Sequence, residues 1–172
     1  ITINPVNDRP FRTAGNVGTL NLLEDAAKTS MGLAGVTYSK GGGDDEASQT
    51  LDIKAITLPT TFGTVYKANG TVVNANDDLT LTELQGLQFK PSANKSGTAF
   101  FVFEVTDRGT TNLADATDKL TLTETLTIDV KAFNDTPLLP TNAIKFRTKN
   151  GTTFTTTERK ATEDQDFEFD VD

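Results

Sequence analysis

Along much of this chain, hydrophobic and polar residues alternate with a period of two: "GTLNLL" at 18–23, "QTLDIKAITL" at 49–58, "GTVYK" at 63–67, "LQFKP" at 87–91, "TAFFVFEVTD" at 98–107 and "DKLTLTETLTIDVKAFN" at 118–134. Such stretches are rich in Thr, Val, Ile and Phe, and the pattern predicts strands that bury one face and expose the other. Turn chemistry separates them, in "KGGGDDEAS" at 40–48, "NGT" at 69–71, "NANDD" at 74–78, "ANKSG" at 93–97 and "DRGTTN" at 107–112. Many short strands without intervening helices predict an all-β, antiparallel sandwich.

One segment departs from that rhythm. In "LTLTELQGLQF", Thr80 or Thr82 is placed to cap a single helical turn that carries Leu81, Leu84 and Leu87 toward the core before a strand begins. After residue 137 the text changes again, and "KNGT" at 149–152 between two strand-like runs predicts a hairpin.

Two near-copies frame the chain, "NPVNDRP" at 4–10 and "KAFNDTP" at 131–137, each closing a strand-like run with hydrophobe, Asn, Asp, any residue, Pro. Their separation is about one domain, so they are expected at repeat junctions. The expected organisation is the end of a preceding repeat at 1–6, a sandwich at 7–135, and a linker with the start of a second, incomplete β unit at 136–172. A chain that opens inside a strand-like run reads as part of something longer.

Composition narrows the chemistry. With 16 basic and 24 acidic residues the net charge is −8, which favours cations as partners and disfavours nucleic acid. His and Cys are absent, which removes the commonest general base, thiolate metal sites and disulfides. Glu24 and Asp25 are adjacent, and neighbours on a strand face opposite ways, so they are not expected to flank one scissile bond. No catalytic constellation emerges, and the chain is read as a non-enzyme. No apolar run approaches the length of a membrane span.

The oxygen-bearing residues Asn7, Asp8, Glu24, Asp107, Asn134 and Asp135 recur at strand ends, and oxygen-only ligands suit calcium. Ordinary turn chemistry accounts for each of them singly; their convergence on two poles is what favours an ion. The single "GGGDDEASQ" is a polar loop rather than a calcium-binding roll, which needs consecutive copies, and no EF-hand loop is present. Four Asn-x-Ser/Thr triplets, beginning at Asn69, Asn94, Asn134 and Asn150, are coincidences of a composition rich in Asn, Gly and Thr.

"FEVTDRG" followed by "LTIDVKAFNDTP", with "LLED" after "VNDRP", resembles the cadherin repeat, and in particular the cadherin-like repeats of large bacterial surface and RTX-type adhesins. "GGGDDEASQTLDI" and "LTLTELQGLQFKPSAN" add to that resemblance, which covers residues 1 to about 137. It implies a Greek-key sandwich of the cadherin or immunoglobulin kind, extracellular, with Ca2+ at the junctions. Asn7, Asp8 and Asp107, with Asp45 beside them, would serve the N-terminal junction; Glu24, Asn134 and Asp135 would serve the C-terminal one. The family's acidic residue two before the Asn is replaced here by Pro5 and Ala132. The implied partners are neighbouring repeats, with like modules or glycans on another surface as alternatives. The other readings are a strand-exchanging subunit of an extracellular filament, and an accessory domain of a secreted hydrolase.

Overall fold

The computed structural model describes residues 6–43, 46–108 and 119–135, together with the backbone of two short strands near the C-terminus. The chain divides into two units, Ile1–Asn134 and Asp135–Asp172. In the second, the described part is a pair of antiparallel strands at Phe146–Arg147 and Thr153–Phe154. They flank the predicted "KNGT" hairpin turn, which itself lies outside the described residues, as does Asp45.

The first unit is an all-β sandwich. Its strands are β1 (Phe11–Ala14), β2 (Thr19–Leu23), β3 (Thr29–Ser30), β4 (Thr37–Ser39), β5 (Leu51–Thr57), β6 (Gly63–Tyr66), β7 (Asp78–Leu79), β8 (Gln88–Pro91), β9 (Gly97–Asp107) and β10 (Thr121–Lys131). One layer is a five-stranded sheet ordered β2-β10-β9-β5-β7; the other consists of the ribbon β1-β4 and the three-stranded sheet β3-β8-β6. Successive strands pass back and forth between layers, β4 to β5, β5 to β6, β6 to β7 and β7 to β8, as a Greek-key sandwich requires. The pairing is antiparallel except between β2 and β10, which run parallel from Thr19 beside Thr127 to Leu23 beside Lys131. A uniformly antiparallel sheet is therefore corrected at this one edge: strands so distant in sequence need no hairpin and can run the same way.

Alternation sets the burial. On β9, Ala99, Phe101, Phe103, Val105 and Asp107 face inward, and Leu126, Ile128 and Val130 do so on β10. Against them lie Val65, Phe89, Val36, Leu33 and Met31 from the second layer and its loops, in one apolar cluster. Phe101 and Phe103 stack with ring centroids 5.6 Å apart, and Tyr38 of β4 meets Phe103 edge-on at 6.5 Å. Fully burying side chains of this size contributes about 1.5–3 kcal/mol each before entropic costs.

The helical turn is α1, Leu81–Gln85, capped by Thr80. Glu83 N donates to Thr80 Oγ1 at 3.1 Å while Thr80 N donates to Glu83 Oε2 at 2.8 Å, a reciprocal capping box. Leu84 and Leu87 are fully buried as expected, whereas Leu81 is exposed. In a helix of a single turn only one narrow stripe can face inward, and Leu84 takes it.

Candidate functional site: a polar pole

β9 and β10 form a long hairpin, so the end of β9 and the start of β10 share one pole of the sandwich, and the end of β10 lies at the other. Asp107 closes β9 on its inward face and is fully buried. Its Oδ1 accepts from Asn7 Nδ2 and from the Leu120 amide, both at 3.1 Å. Asn7 is itself buried, and its Oδ1 accepts from Gln49 Nε2 at 2.7 Å. The network extends through the turn at Glu46: Gln49 N donates to Glu46 O, and Glu46 Oε1 accepts from the Asp8 amide at 3.1 Å. Asn7, Glu46, Gln49 and Asp107, from three separate segments, are thus joined in a buried polar cluster under the chain's entry, to which the amides of Asp8 and Leu120 also donate.

The structure brings Asn7 and Asp107 into direct contact. Asp8 joins through its backbone, while its carboxylate turns toward the glycine loop, where a Cβ added at Gly42 would stand 3.4 Å from Asp8 Oδ2. Gly41, at φ +138°, passes so close to Asp8 that an added Cβ would come within 2.6 Å of the Asp8 carbonyl oxygen. Glu46 and Gln49 do not stand out in their sequence context. Their signal is faint: two polar residues in "DDEASQT" just before a strand, at a spacing that one turn brings together.

At the opposite pole Glu24 follows β2 and is buried. Its amide donates to Lys131 O at 2.9 Å, and its Oε1 accepts from the Phe133 amide at 2.8 Å, so it clamps the exit of β10. Asn134 and Asp135 are exposed, and Asp135 is the first residue of the second unit. Asp25 is exposed at φ 62°, in a turn rather than a strand.

The donor set at the Asp107 pole consists of carboxylate and amide oxygens, which calcium accepts and softer metals disfavour. Among the described residues no three Asp or Glu side chains converge as a ready cage. Gln49 Oε1, however, is buried and has no hydrogen-bond partner among the described residues, so it is an oxygen available to a cation. Asp44 and Asp45, next to Glu46 in sequence, lie outside the described residues. The residues present therefore fit calcium in chemistry. Asp107, Glu46, Asn7 and Gln49 would hold the ion, which would supply charge neutralisation and crosslinking.

The fold and this pole define a β-sandwich module whose entry segment is tied to the end of its longest hairpin. The sequence matches no protein-family model and no curated protein. Among solved structures it is similar to the CsuC–CsuE chaperone–tip adhesion subunit pre-assembly complex from archaic chaperone-usher Csu pili of Acinetobacter baumannii. That likeness has 8% identity, covers 83% of this chain and 79% of that chain, and has a TM-score of 0.37.

Proposed function

We propose that this chain is a β-sandwich module of an extracellular bacterial adhesin or filament, linked in series to neighbouring domains, with calcium held at the Asn7–Asp107 pole stiffening the link. The observation that carries this reading is the docking of Asn7, in the segment before the first strand, onto the buried carboxylate that ends β9. A module that locks its own entry segment transmits force and orientation along a string. Val6 is 74% exposed and Phe133 56% exposed, so apolar side chains stand at both the entry and the exit of the first unit, where a neighbour would cover them. With neither His nor Cys in the chain, the reading is a structural and binding role rather than catalysis.

Calcium neutralises the carboxylates that would otherwise repel, and it takes up the spare oxygen of Gln49. Extracellular modules hold calcium at roughly 0.1–1 mM. Equilibrium dialysis against radioactive calcium tests this: the full chain retains calcium above a magnesium background and Asp107→Asn does not. Equal retention by both removes Asp107 from the site.

A second reading has its own observation. β2 covers β10 only from Thr127 to Lys131, and among the described residues no strand pairs with that edge from Thr121 to Leu126. An open stretch of this kind accepts an added strand, so the module would then be a strand-exchanging filament subunit. Removing residues 138–172 abolishes assembly on that reading and leaves it intact on the first.

A further inference from the structure

Far from the Asp107 pole, on the outer face of the three-stranded sheet, the chain gathers a different chemistry. Thr64 and Tyr66 of β6 lie beside Lys90 and Gln88 of β8, register partners whose side chains alternate to the side away from the core. Their buried neighbours Val65 and Phe89 point inward. An open cleft of about 440 Å3 is lined here by Thr64, Tyr66, Lys90, Ser92 and Asp25. Lys28, just before β3, holds its ammonium 4.1 Å from the centre of the Tyr66 ring.

The cleft lies beside two lysines that no carboxylate engages, a condition they share with Arg9, Lys40, Lys95 and Lys131 among the described residues. Arg12, Lys54, Lys67 and Arg108 are each engaged by a carboxylate. Neither Lys28 nor Lys90 has a carboxylate partner among the described residues, and both are exposed. Lys90 thus lines a hydroxyl-bearing hollow and Lys28 stands over the ring of Tyr66, another of its lining residues, in a chain of net charge −8, with Asp25 the one acidic group in the lining. Cation–π contact with Tyr66 fixes where the Lys28 charge is presented, which lowers the ordering cost of using it.

We propose that this cleft binds an acidic polysaccharide, a chain of uronate sugars, with the ammonium groups of Lys28 and Lys90 pairing with sugar carboxylates and the hydroxyls of Thr64, Ser92 and Tyr66 meeting the sugar hydroxyls. The charge selects an anion. The hydroxyl lining, where each group both donates and accepts, matches a polyol better than the carboxylates of an acidic peptide. The site lies toward the Glu24 end of the sandwich, so it does not depend on calcium at the Asp107 pole. It gives an adhesive module something to adhere to.

The test uses the full 172-residue chain in low-salt buffer with chelator, and measures binding to immobilised polygalacturonate, to neutral dextran and to polyglutamate. Polygalacturonate is expected to bind, dextran not, and polyglutamate at least tenfold more weakly, with binding falling as salt rises. The double variant Lys28→Ala/Lys90→Ala is expected to lose about tenfold per lysine at an unchanged melting temperature. Thr64→Ala/Ser92→Ala, which keeps both charges, is expected to weaken polygalacturonate and leave polyglutamate alone. Absence of polygalacturonate binding overturns the proposal. So does binding that survives the lysine substitutions, or equal capture of polyglutamate, which would mean charge without sugar recognition.

Discussion

The side-chain amide of Asn7 donates to the carboxylate of Asp107 at 3.1 Å, joining positions 100 residues apart inside the protein. Asp107 is fully buried and also receives the Leu120 amide, so one oxygen holds the entry segment and the return of the long hairpin together. Removing it strands the buried Asn7 side-chain amide and the partly buried Leu120 N–H. Asp107→Ala is accordingly expected to cost about 2–4 kcal/mol in urea unfolding. Asp107→Asn keeps an acceptor oxygen and is expected to cost less than half as much. A loss below about 0.5 kcal/mol in the alanine variant would mean that the network is not structural.

The Glu24 carboxylate plays the corresponding part at the other pole through the Phe133 amide. Glu24→Ala is expected to expose that amide, so its hydrogen-exchange protection falls while amides in the middle of β9 keep theirs. Glu24→Gln retains an acceptor and is expected to preserve protection at Phe133. Matching exchange in the two variants would dissociate the side chain from the exit of β10.

Acid should act through the capping box. Glu83 accepts from Lys67 Nζ at 2.8 Å and from the Thr80 amide, and these bonds, that of Lys67 foremost, hold its carboxyl down to about 2. A folded-state value below the unfolded one means that the contribution is fully present above the unfolded value of about 4.5 and is lost as the pH falls toward 2. Glu83→Gln is expected to flatten the acid limb of a stability-against-pH curve between those limits and to leave its shape above pH 5 unchanged. Thr80→Ala is expected to cost about 1 kcal/mol at neutral pH. An acid limb identical in parent and Glu83→Gln would contradict the assignment.

Close packing makes one glycine indispensable. A Cβ at Gly63 would stand 2.4 Å from the Phe89 ring and 2.4 Å from the Lys90 carbonyl oxygen, and Phe89 is fully buried. Because the neighbours are backbone and a core aromatic, neither can yield cheaply. Gly63→Ala is expected to destabilise by about 1–3 kcal/mol, read from thermal unfolding. A neutral effect would show that β6 and β8 can separate.

Strands long enough to alternate are legible in the sequence. The runs at 98–107 and 118–134 correspond to β9 and β10, and those at 49–58, 63–67 and 87–91 to β5, β6 and β8. Strands β3 and β7 are two residues each, too short to carry a period, and β1 reads "FRTA" with mostly exposed side chains. Their existence depends on partners already in place, which local pattern does not encode. At the pole, Asn7 and Asp107 are visible because strand-end Asn and Asp stand out. Glu46 and Gln49 are hidden in a polar loop whose inward face exists only once the turn has formed.

Thermal unfolding of the full chain in calcium, in chelator and in magnesium tests the proposed calcium site at the Asp107 pole most directly, with Asp107→Asn alongside. With calcium at ten to a hundred times its dissociation constant, stabilisation follows mass action, and a rise of about 5–10 °C over chelator is expected in the parent, with little rise in magnesium and none in the variant. Identical melting of the parent in all three solutions would contradict calcium binding at this pole and leave the Asn7–Asp107 contact as a purely structural clasp.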